Sequence, residues 1–253
     1  MSSPATFWSA VGGRLPRAMV PAALLRPLRA WWQRPPRVRW GNQRRVTPIS
    51  RVFGLDRGTP IDRVYIEAFL ASHGADIAGR VLEFGDPGYT RRFGGARVTR
   101  SEVLHRTADN PQATLVGDLR TGVGVPIGAF DCIICTQTLQ FLDEVAAGVA
   151  TLHAALKPGG VLLATVPGIS QISRYDMERW GDYWRFTLAS AAHCFGAVFG
   201  ADQIQVQSHG NVLVACAFLH GLAAEELTRA ELDAQDPDYP LLITVRAVKR
   251  GGD

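Results

Sequence analysis

Two patterns of apolar residues alternate along the chain from residue 61 onward. Short apolar runs predict strands, and the stretches between them carry apolar residues at helical spacing. The predicted strands cover residues 80–84, 96–99, 113–116, 131–135, 161–166, 203–208 and 241–247. The predicted helices cover residues 61–73, 141–156, 187–199 and 212–227. Because several strands are apolar throughout, the alternation predicts an α/β fold, with a doubly wound, mostly parallel seven-stranded sheet and helices on both faces.

The N-terminal segment differs from this body in charge. Residues 1–45 hold nine arginines and no acidic residue, so this basic arm carries +9, whereas residues 46–253 carry −5. Four of the six tryptophans also lie in the arm, and residues 21–35 resemble a short helix weakened by Pro27. Two interpretations stay open: the arm docks on an anionic membrane surface or a partner protein, or it is a loose terminus.

Composition narrows the class of protein. At 47% apolar and 20% charged residues, the 253-residue chain can bury a sizeable core. No apolar run approaches the roughly 18 residues of a membrane span. The positive charges of residues 46–253 form no dense stripe, which disfavours nucleic-acid binding. Four scattered cysteines predict no disulfide framework. We therefore expect a cytoplasmic protein, peripheral to the inner membrane if the arm docks there.

The turn after the first predicted strand is the first candidate ligand site. The segment RVLEFGDPGYTRRFGG puts Glu83 at the strand end and Gly85 and Gly88 in the following loop. Ligands of doubly wound sheets bind beyond the carboxyl ends of the strands, where glycines allow a close backbone approach. The loop lacks G-x-G-x-x-G and G-x-x-x-x-G-K-[ST], which disfavours a nicotinamide enzyme and a nucleotide triphosphatase.

Polar residues are also predicted at the ends of the next three strands. Glu102 is expected just past the second strand, where an acid can hold a ribose diol. Asp118 follows the third strand and can accept a hydrogen bond from the amino group of an adenine. Thr136 and Gln137 follow the fourth strand. Together these positions predict a bound adenosyl group.

The order of these segments resembles that of class I S-adenosylmethionine-dependent methyltransferases over residues 60–250. The motifs are the glutamate-ended strand with its glycine turn, the GD pair, FDCIICTQTLQFL and LKPGGVLLATVP. The segments RGTPIDRVYIEAFL and SRYDMERWGDYWRFT further resemble a bacterial subgroup associated with glycan pathways. The chain departs from the family pattern at Asp86-Pro87, where a further glycine step is usual.

This resemblance implies a Rossmann-like methyltransferase fold, S-adenosyl-L-methionine as the cofactor and a role for each matching residue. Glu83 would face the methionine ammonium, and Gly85 and Gly88 would pack beneath the methionine. Glu102 would hold the ribose, and Asp118 would reach the adenine.

An aromatic segment after the fifth strand is the candidate acceptor site. Aromatic faces stack on sugar rings, and charged side chains fix hydroxyls. The candidate acceptor-binding residues are Tyr175, Arg179, Trp180, Trp184 and Arg185. A glycan or similar polyol acceptor suits this composition, although the same aromatics would also serve as a packed lid.

Candidate catalytic bases for a hydroxyl acceptor are Asp176, in the aromatic segment, and His209, in the predicted turn after the sixth strand. Each has a structural alternative, an ion pair with Arg179 for Asp176 and a backbone contact for His209. Cys132 and Cys135 are three residues apart on a strand and face opposite sides, so we expect no metal.

The leading hypothesis is methyl transfer to a hydroxyl of a small glycan or glycosylated metabolite by a metal-independent enzyme. The alternative is a catalytically silent methyltransferase-like module that binds a partner. A third hypothesis is a nicotinamide-dependent oxidoreductase. It is weakened because the loop lacks the middle glycine of G-x-G-x-x-G and the chain has no Tyr-x-x-x-Lys pair.

Overall fold

The computed structural model describes residue 39 and residues 41–252. The chain forms two compact units, Met1–Arg44 and Arg45–Asp253. In the first unit, the described part holds one 3-10 turn, Gly41–Gln43. The helix predicted over residues 21–35 and six of the nine arginines of the arm lie outside the described residues.

The second unit contains a seven-stranded sheet. Its strands are β1 Gly79–Phe84, β2 Val98–His105, β3 Leu115–Val116, β4 Phe130–Thr136, β5 Leu156–Pro167, β6 Ile204–His209 and β7 Leu242–Val248. The order across the sheet is β3-β2-β1-β4-β5-β7-β6. All pairs from β3 to β5 are parallel, and β7 lies antiparallel to both β5 and β6. The chain order reverses between β1 and β4, so a topological switch point lies there.

Helices connect the strands. They are α1 Ile61–Ser72, α2 Val145–Ala155, α3 Arg174–Met177, α4 Leu188–Phe199, α5 Val212–His220 and α6 Arg229–Asp233. Thr187 begins α4 with a capping box, and Asn211 caps α5 by accepting from the amide of Val214. Gly221, at φ 72°, ends α5 in the left-handed conformation that glycine adopts without strain. Across residues 41–252, no helix combines the length and apolar character needed to cross a membrane.

The core consists of two apolar layers on opposite faces of the sheet. One layer packs α2 and α4 against strand residues such as Leu82 and Ile133. The other packs α1 and α5 against their neighbours Val81 and Ile134. Successive strand residues alternate between the layers, as the pleat requires. The fold class is therefore confirmed: a mostly parallel sheet with helices on both faces and the Rossmann-like methyltransferase topology.

The turn Lys157–Gly160, which carried much of the family resemblance, has a structural role. The Lys157 ammonium lies 2.8 Å from the Asp131 carboxylate, and that carboxylate also accepts from the amide of Arg80. Gly159 has φ 79°. The motif therefore links the first residues of β1, β4 and β5 at the amino edge of the sheet, opposite the carboxyl edge.

Several predicted boundaries are wrong. The second strand runs from Val98 to His105 rather than over residues 96–99, because its charged residues are paired within the sheet. The predicted helix 141–156 begins only at Val145, after a 3-10 turn at Leu139–Phe141. The predicted helix 212–227 ends at His220, where Gly221 reverses the chain.

Candidate functional site

Two cavities adjoin at the carboxyl edge of the sheet. The larger has a volume of about 630 Å³ and the smaller about 140 Å³. Phe84, at the end of β1, and Phe141, after β4, line both of them. The site therefore lies at the switch point between β1 and β4, where doubly wound sheets bind ligands.

Glu83 organises the turn after β1. The residue is 4% exposed, and its carboxylate accepts hydrogen bonds from the amides of Tyr89, at 3.1 Å, and Thr90, at 2.8 Å. Burial raises the pKa of Glu83, and these two amides oppose the rise. Glu83 and Gly88 line the larger cavity, and Gly85 lines the smaller one. The turn thus presents its backbone to both cavities.

The smaller cavity has an ionic end and an aromatic wall. Asp118 binds the Arg120 guanidinium, with the shortest contact at 2.6 Å, and Arg106 lies 3.7 Å away. The hydrogen bond from Arg120 lowers the pKa of Asp118 most, so this carboxyl is ionised at neutral pH. Trp180 lines the cavity. Its ring makes an edge contact with the His105 ring, with 5.8 Å between the ring centres. His105, the last residue of β2, occupies the strand end where sequence reasoning expected Glu102.

The end of β4 forms a polar wall of the larger cavity. Thr136 and Gln137 line it, and Gln137 has φ 47°, a left-handed conformation that is uncommon for residues other than glycine. Its amide donates to the Thr165 carbonyl, which holds this backbone in place. Gln140 lines the same wall, is 5% exposed and donates through Nε2 to the Gln137 side chain. The Gln140 Oε1 atom has no hydrogen-bond partner among the described residues.

Glu102 lies outside both cavities, which contradicts its predicted position. It sits within β2, opposite Leu82 of β1, and is 2% exposed. Its carboxylate pairs with Arg80 at 3.0 Å and with Arg100, and it accepts from the Thr114 hydroxyl at 2.6 Å. The residue therefore stabilises the β1–β2 region instead of facing a ribose.

The two predicted bases are both held by structural contacts. His209 ends β6, where its Nε2 lies 3.0 Å from the Thr244 hydroxyl and its ring stacks on Tyr65. It lines neither cavity, and burial lowers its pKa. Asp176 does line the larger cavity, but its Oδ2 binds the Ser173 hydroxyl at 2.5 Å as α3 begins.

The predicted acceptor residues separate in the structure. Trp180 lines the smaller cavity and Arg185 the larger one, where Arg185 binds Asp182 and the backbone around it. Tyr175 and Trp184 are 63% and 43% exposed and line neither cavity. Arg179 stacks on the Tyr175 ring, 3.5 Å from its centre, in place of the expected ion pair with Asp176. The aromatic segment therefore does not form one continuous binding face.

The first turn of α1 contributes a part of the site that sequence reasoning missed. Asp62 and Arg63 both line the larger cavity. The Arg63 guanidinium donates to the Tyr89 hydroxyl at 2.8 Å, which joins α1 to the turn after β1. The Asp62 Oδ1 atom is sealed from solvent and has no hydrogen-bond partner among the described residues. Burial raises the pKa of Asp62, and the Arg63 charge opposes the rise.

The cysteines of β4 pack in opposite layers of the core, Cys132 against α1 and Cys135 against α2. Burial raises the pKa of both thiols, that of Cys135 to about 12. Over the described part of the chain, no group of three or more His, Cys, Asp or Glu side chains is arranged to hold a metal ion.

The fold and its cavities define an α/β protein with two adjoining cavities at the carboxyl edge of a doubly wound sheet. A family model described as a methyltransferase domain matches residues 55–210, more than half of the chain. The chain therefore belongs to the methyltransferase domain family. No curated protein matches the sequence.

Solved structures share this fold at low identity. Phosphoethanolamine N-methyltransferase 2 from Haemonchus contortus, in complex with S-adenosyl-L-methionine, has a TM-score of 0.50 and 15% identity, with 83% of this chain and 55% of that chain covered. The chain thus spans about half of that enzyme. A SAM-dependent methyltransferase from Archaeoglobus fulgidus has a TM-score of 0.49 and 13% identity, with coverage of 74% and 94%.

Proposed function

We propose that the protein is a metal-independent methyltransferase that uses S-adenosyl-L-methionine. The observation that carries the proposal is the pair of adjoining cavities, which share Phe84 and Phe141 at the switch point of the sheet. A ligand that joins an adenosyl half to an amino-acid half needs two connected cavities lined by different kinds of side chain. When bound, the cofactor supplies an activated methyl group, so the protein's main task is to align the acceptor with it.

The residues of the smaller cavity fit the adenosyl half. Trp180 offers an aromatic face for stacking, and the ionised Asp118 has lone pairs left to accept from an amino group beyond its bonds to Arg120. Gly85 has φ 81°, and a Cβ built there would meet no atom within 4 Å. This open backbone surface on the cavity wall allows a close approach of the ligand.

The residues of the larger cavity fit the methionine half and a polar acceptor beside it. Glu83 and Gly88 would face the methionine, and Thr136 and Gln137 would border it. Two residues of the wall, Asp62 and Gln140, each carry a buried oxygen that can only accept and that has no hydrogen-bond partner in the described part of the chain. A ligand that satisfies them must bring donors, such as an ammonium group or hydroxyls.

The acceptor is a hydroxyl of a small glycan or glycosylated metabolite. Support comes from the polar lining of the larger cavity, which combines carboxylates, arginines and amides, including Asp176 and Arg185. Such a mixture of donors and acceptors suits a polyol better than an apolar or a strongly anionic molecule.

Titration calorimetry of the full chain with S-adenosylmethionine and S-adenosylhomocysteine tests the cofactor. We expect micromolar binding that falls roughly tenfold or more in Asp118→Ala, because a charged hydrogen bond is lost. Asp233→Ala is the matched control, since Asp233 lies on α6 outside both cavities and is exposed. No binding to the folded protein would instead favour the catalytically silent binding module.

A transfer assay tests the acceptor. Methyl-labelled S-adenosylmethionine is incubated with the protein and a panel of oligosaccharides and glycosylated metabolites, and the labelled products are hydrolysed and analysed. We expect the label in O-methyl sugars. Label on a nitrogen or on an acceptor without sugar would contradict the proposed substrate class while leaving the cofactor intact.

A further inference from the structure

Five carboxylates line the larger cavity, and four of them are already engaged. Glu83 accepts from two backbone amides, and Asp86 accepts from the amide of Gly88 at 2.8 Å. Asp176 binds the Ser173 hydroxyl, and Asp182 binds Arg185. These contacts fix the turn after β1 and the segment around α3. Each of the four carboxylates therefore already accepts at least one structural hydrogen bond.

Asp62 is the fifth, and it differs from the others. Its Oδ1 is sealed from solvent and lacks a hydrogen-bond partner among the described residues, although buried polar atoms are nearly always paired. The guanidinium of its neighbour Arg63 donates to the Tyr89 hydroxyl at 2.8 Å and not to Asp62. Asp62 as a whole is only partly buried and lines the cavity, so a donor that arrives with a ligand meets its carboxylate from the cavity side.

The place of Asp62 relative to the turn after β1 indicates which part of a ligand it meets. Because Arg63 binds Tyr89, and the Tyr89 amide binds Glu83, the first turn of α1 lies against the turn proposed to hold the methionine. The charged groups that line the cavity around Asp62 are Arg63, Glu83, Asp86, Arg92, Asp176, Asp182 and Arg185. Gln140 offers a second unpaired oxygen, but a neutral amide cannot take a proton.

Building on the proposed function, we propose that Asp62 is the proton acceptor for the hydroxyl that receives the methyl group. The hydroxyl donates to the Asp62 carboxylate from the cavity. As its oxygen forms the bond to the methyl carbon, the bond from that carbon to sulfur breaks with its electron pair left on sulfur. The proton passes to the carboxylate, and the resulting acid returns it to solvent after the product leaves. Asp62 takes the role that sequence reasoning gave to Asp176 or His209.

Sinefungin tests this position without knowledge of the acceptor. This cofactor analogue carries an ammonium group where the cofactor carries its transferable methyl, whereas S-adenosylhomocysteine has nothing there. A carboxylate facing that point binds the ammonium directly. We expect the full chain to bind sinefungin roughly tenfold or more tightly than S-adenosylhomocysteine. Asp62→Asn removes this preference and leaves the affinity for S-adenosylhomocysteine unchanged.

Asp233→Asn is the matched control, and thermal melts establish that both variants are folded. An unchanged preference in Asp62→Asn overturns the proposal, because the carboxylate then lies away from the reacting centre. An equal loss for both ligands also overturns it, since Asp62 would then hold the methionine ammonium that they share. If neither ligand binds the folded wild-type chain, the proposed function itself is wrong. In the transfer assay, Asp62→Asn should lose labelling at unchanged affinity for S-adenosylhomocysteine.

Discussion

Trp180 offers the sharpest test of how the site divides between cofactor and acceptor. Sequence reasoning assigned it to the acceptor, but the structure puts it in the wall of the smaller cavity, beside His105 and the Arg106 guanidinium, which lies 5.6 Å from its ring centre. If the adenosyl half binds in that cavity, Trp180 is its stacking surface. The substitution Trp180→Ala should then lower the affinity for the cofactor and not only the affinity for the acceptor.

The magnitude follows from what the side chain contributes. Stacking of a base on an aromatic side chain is worth about 1–3 kcal/mol by alanine substitution, which corresponds to a roughly 5- to 150-fold loss of affinity. The ring is only half-buried, and it follows the one-turn helix α3 rather than lying in either core layer. We therefore expect the free energy of unfolding to fall by less than about 2 kcal/mol.

Calorimetry with S-adenosylhomocysteine measures the affinity, and a urea titration measures the stability. Trp180→Phe should recover most of the binding, because a smaller aromatic face remains. Trp184→Ala is the comparison, since that tryptophan lines neither cavity and donates to the Leu142 carbonyl. An affinity for S-adenosylhomocysteine that stays at the wild-type value in Trp180→Ala would refute the assignment of the smaller cavity to the adenosyl half.

Three further predictions concern the rest of the molecule. Glu102→Gln should lower the free energy of unfolding by about 3 kcal/mol, because it breaks a buried pair, and leave cofactor affinity unchanged. Burial raises the Glu102 pKa, but the Thr114 hydroxyl and the two arginine partners outweigh burial and hold this pKa below the unfolded value near 4.3. The stabilisation is therefore complete above about 4.3 and is lost as the pH falls through the lowered pKa of the folded state, so the stability of the variant should depend less steeply on pH in acid. Gly85→Ala and Gly95→Ala impose similar backbone strain, since both have positive φ and open space at Cβ, yet calorimetry should find weaker cofactor binding only in Gly85→Ala. Replacing the arginines of residues 1–45 should reduce sedimentation with anionic vesicles without changing affinity for S-adenosylhomocysteine.

The sheet could be predicted because its strands are short apolar runs buried on both faces. Residues 132–135 and 161–164 lie in the centre of the sheet, where helices pack on both faces, so their apolar character is continuous. The position of the ligand site beyond the carboxyl ends of the strands followed from the doubly wound class of the sheet. The turn after β1 was recognisable because Gly85 requires a positive φ and Glu83 stands at the end of an apolar strand.

The second strand was misplaced because its polar residues are satisfied by partners that are distant in sequence. Arg100, Ser101 and Glu102 read as the end of a strand when only local pattern is considered. In the fold, Glu102 forms a salt bridge with Arg80 on the adjacent strand and accepts a hydrogen bond from the hydroxyl of Thr114, in the connection to β3. Such pairings depend on register, which single-sequence periodicity does not contain. The error moved a structural carboxylate into the expected ribose site, while His105 at the true strand end went unassigned.

Asp62 could not be singled out from sequence for a related reason. An aspartate in the first turn of a helix is ordinarily explained by the helix dipole, and the pattern RGTPIDRVYIEAFL contains nothing that departs from that explanation. Its distinction arises only when α1 packs beside the turn after β1 and the other four carboxylates of the cavity find partners. What distinguishes Asp62 is therefore a carboxylate oxygen without a hydrogen-bond partner among the described residues, in a cavity wall where each of the other four carboxylates accepts a structural hydrogen bond. That property belongs to the assembled site, and the comparison of sinefungin with S-adenosylhomocysteine measures it directly.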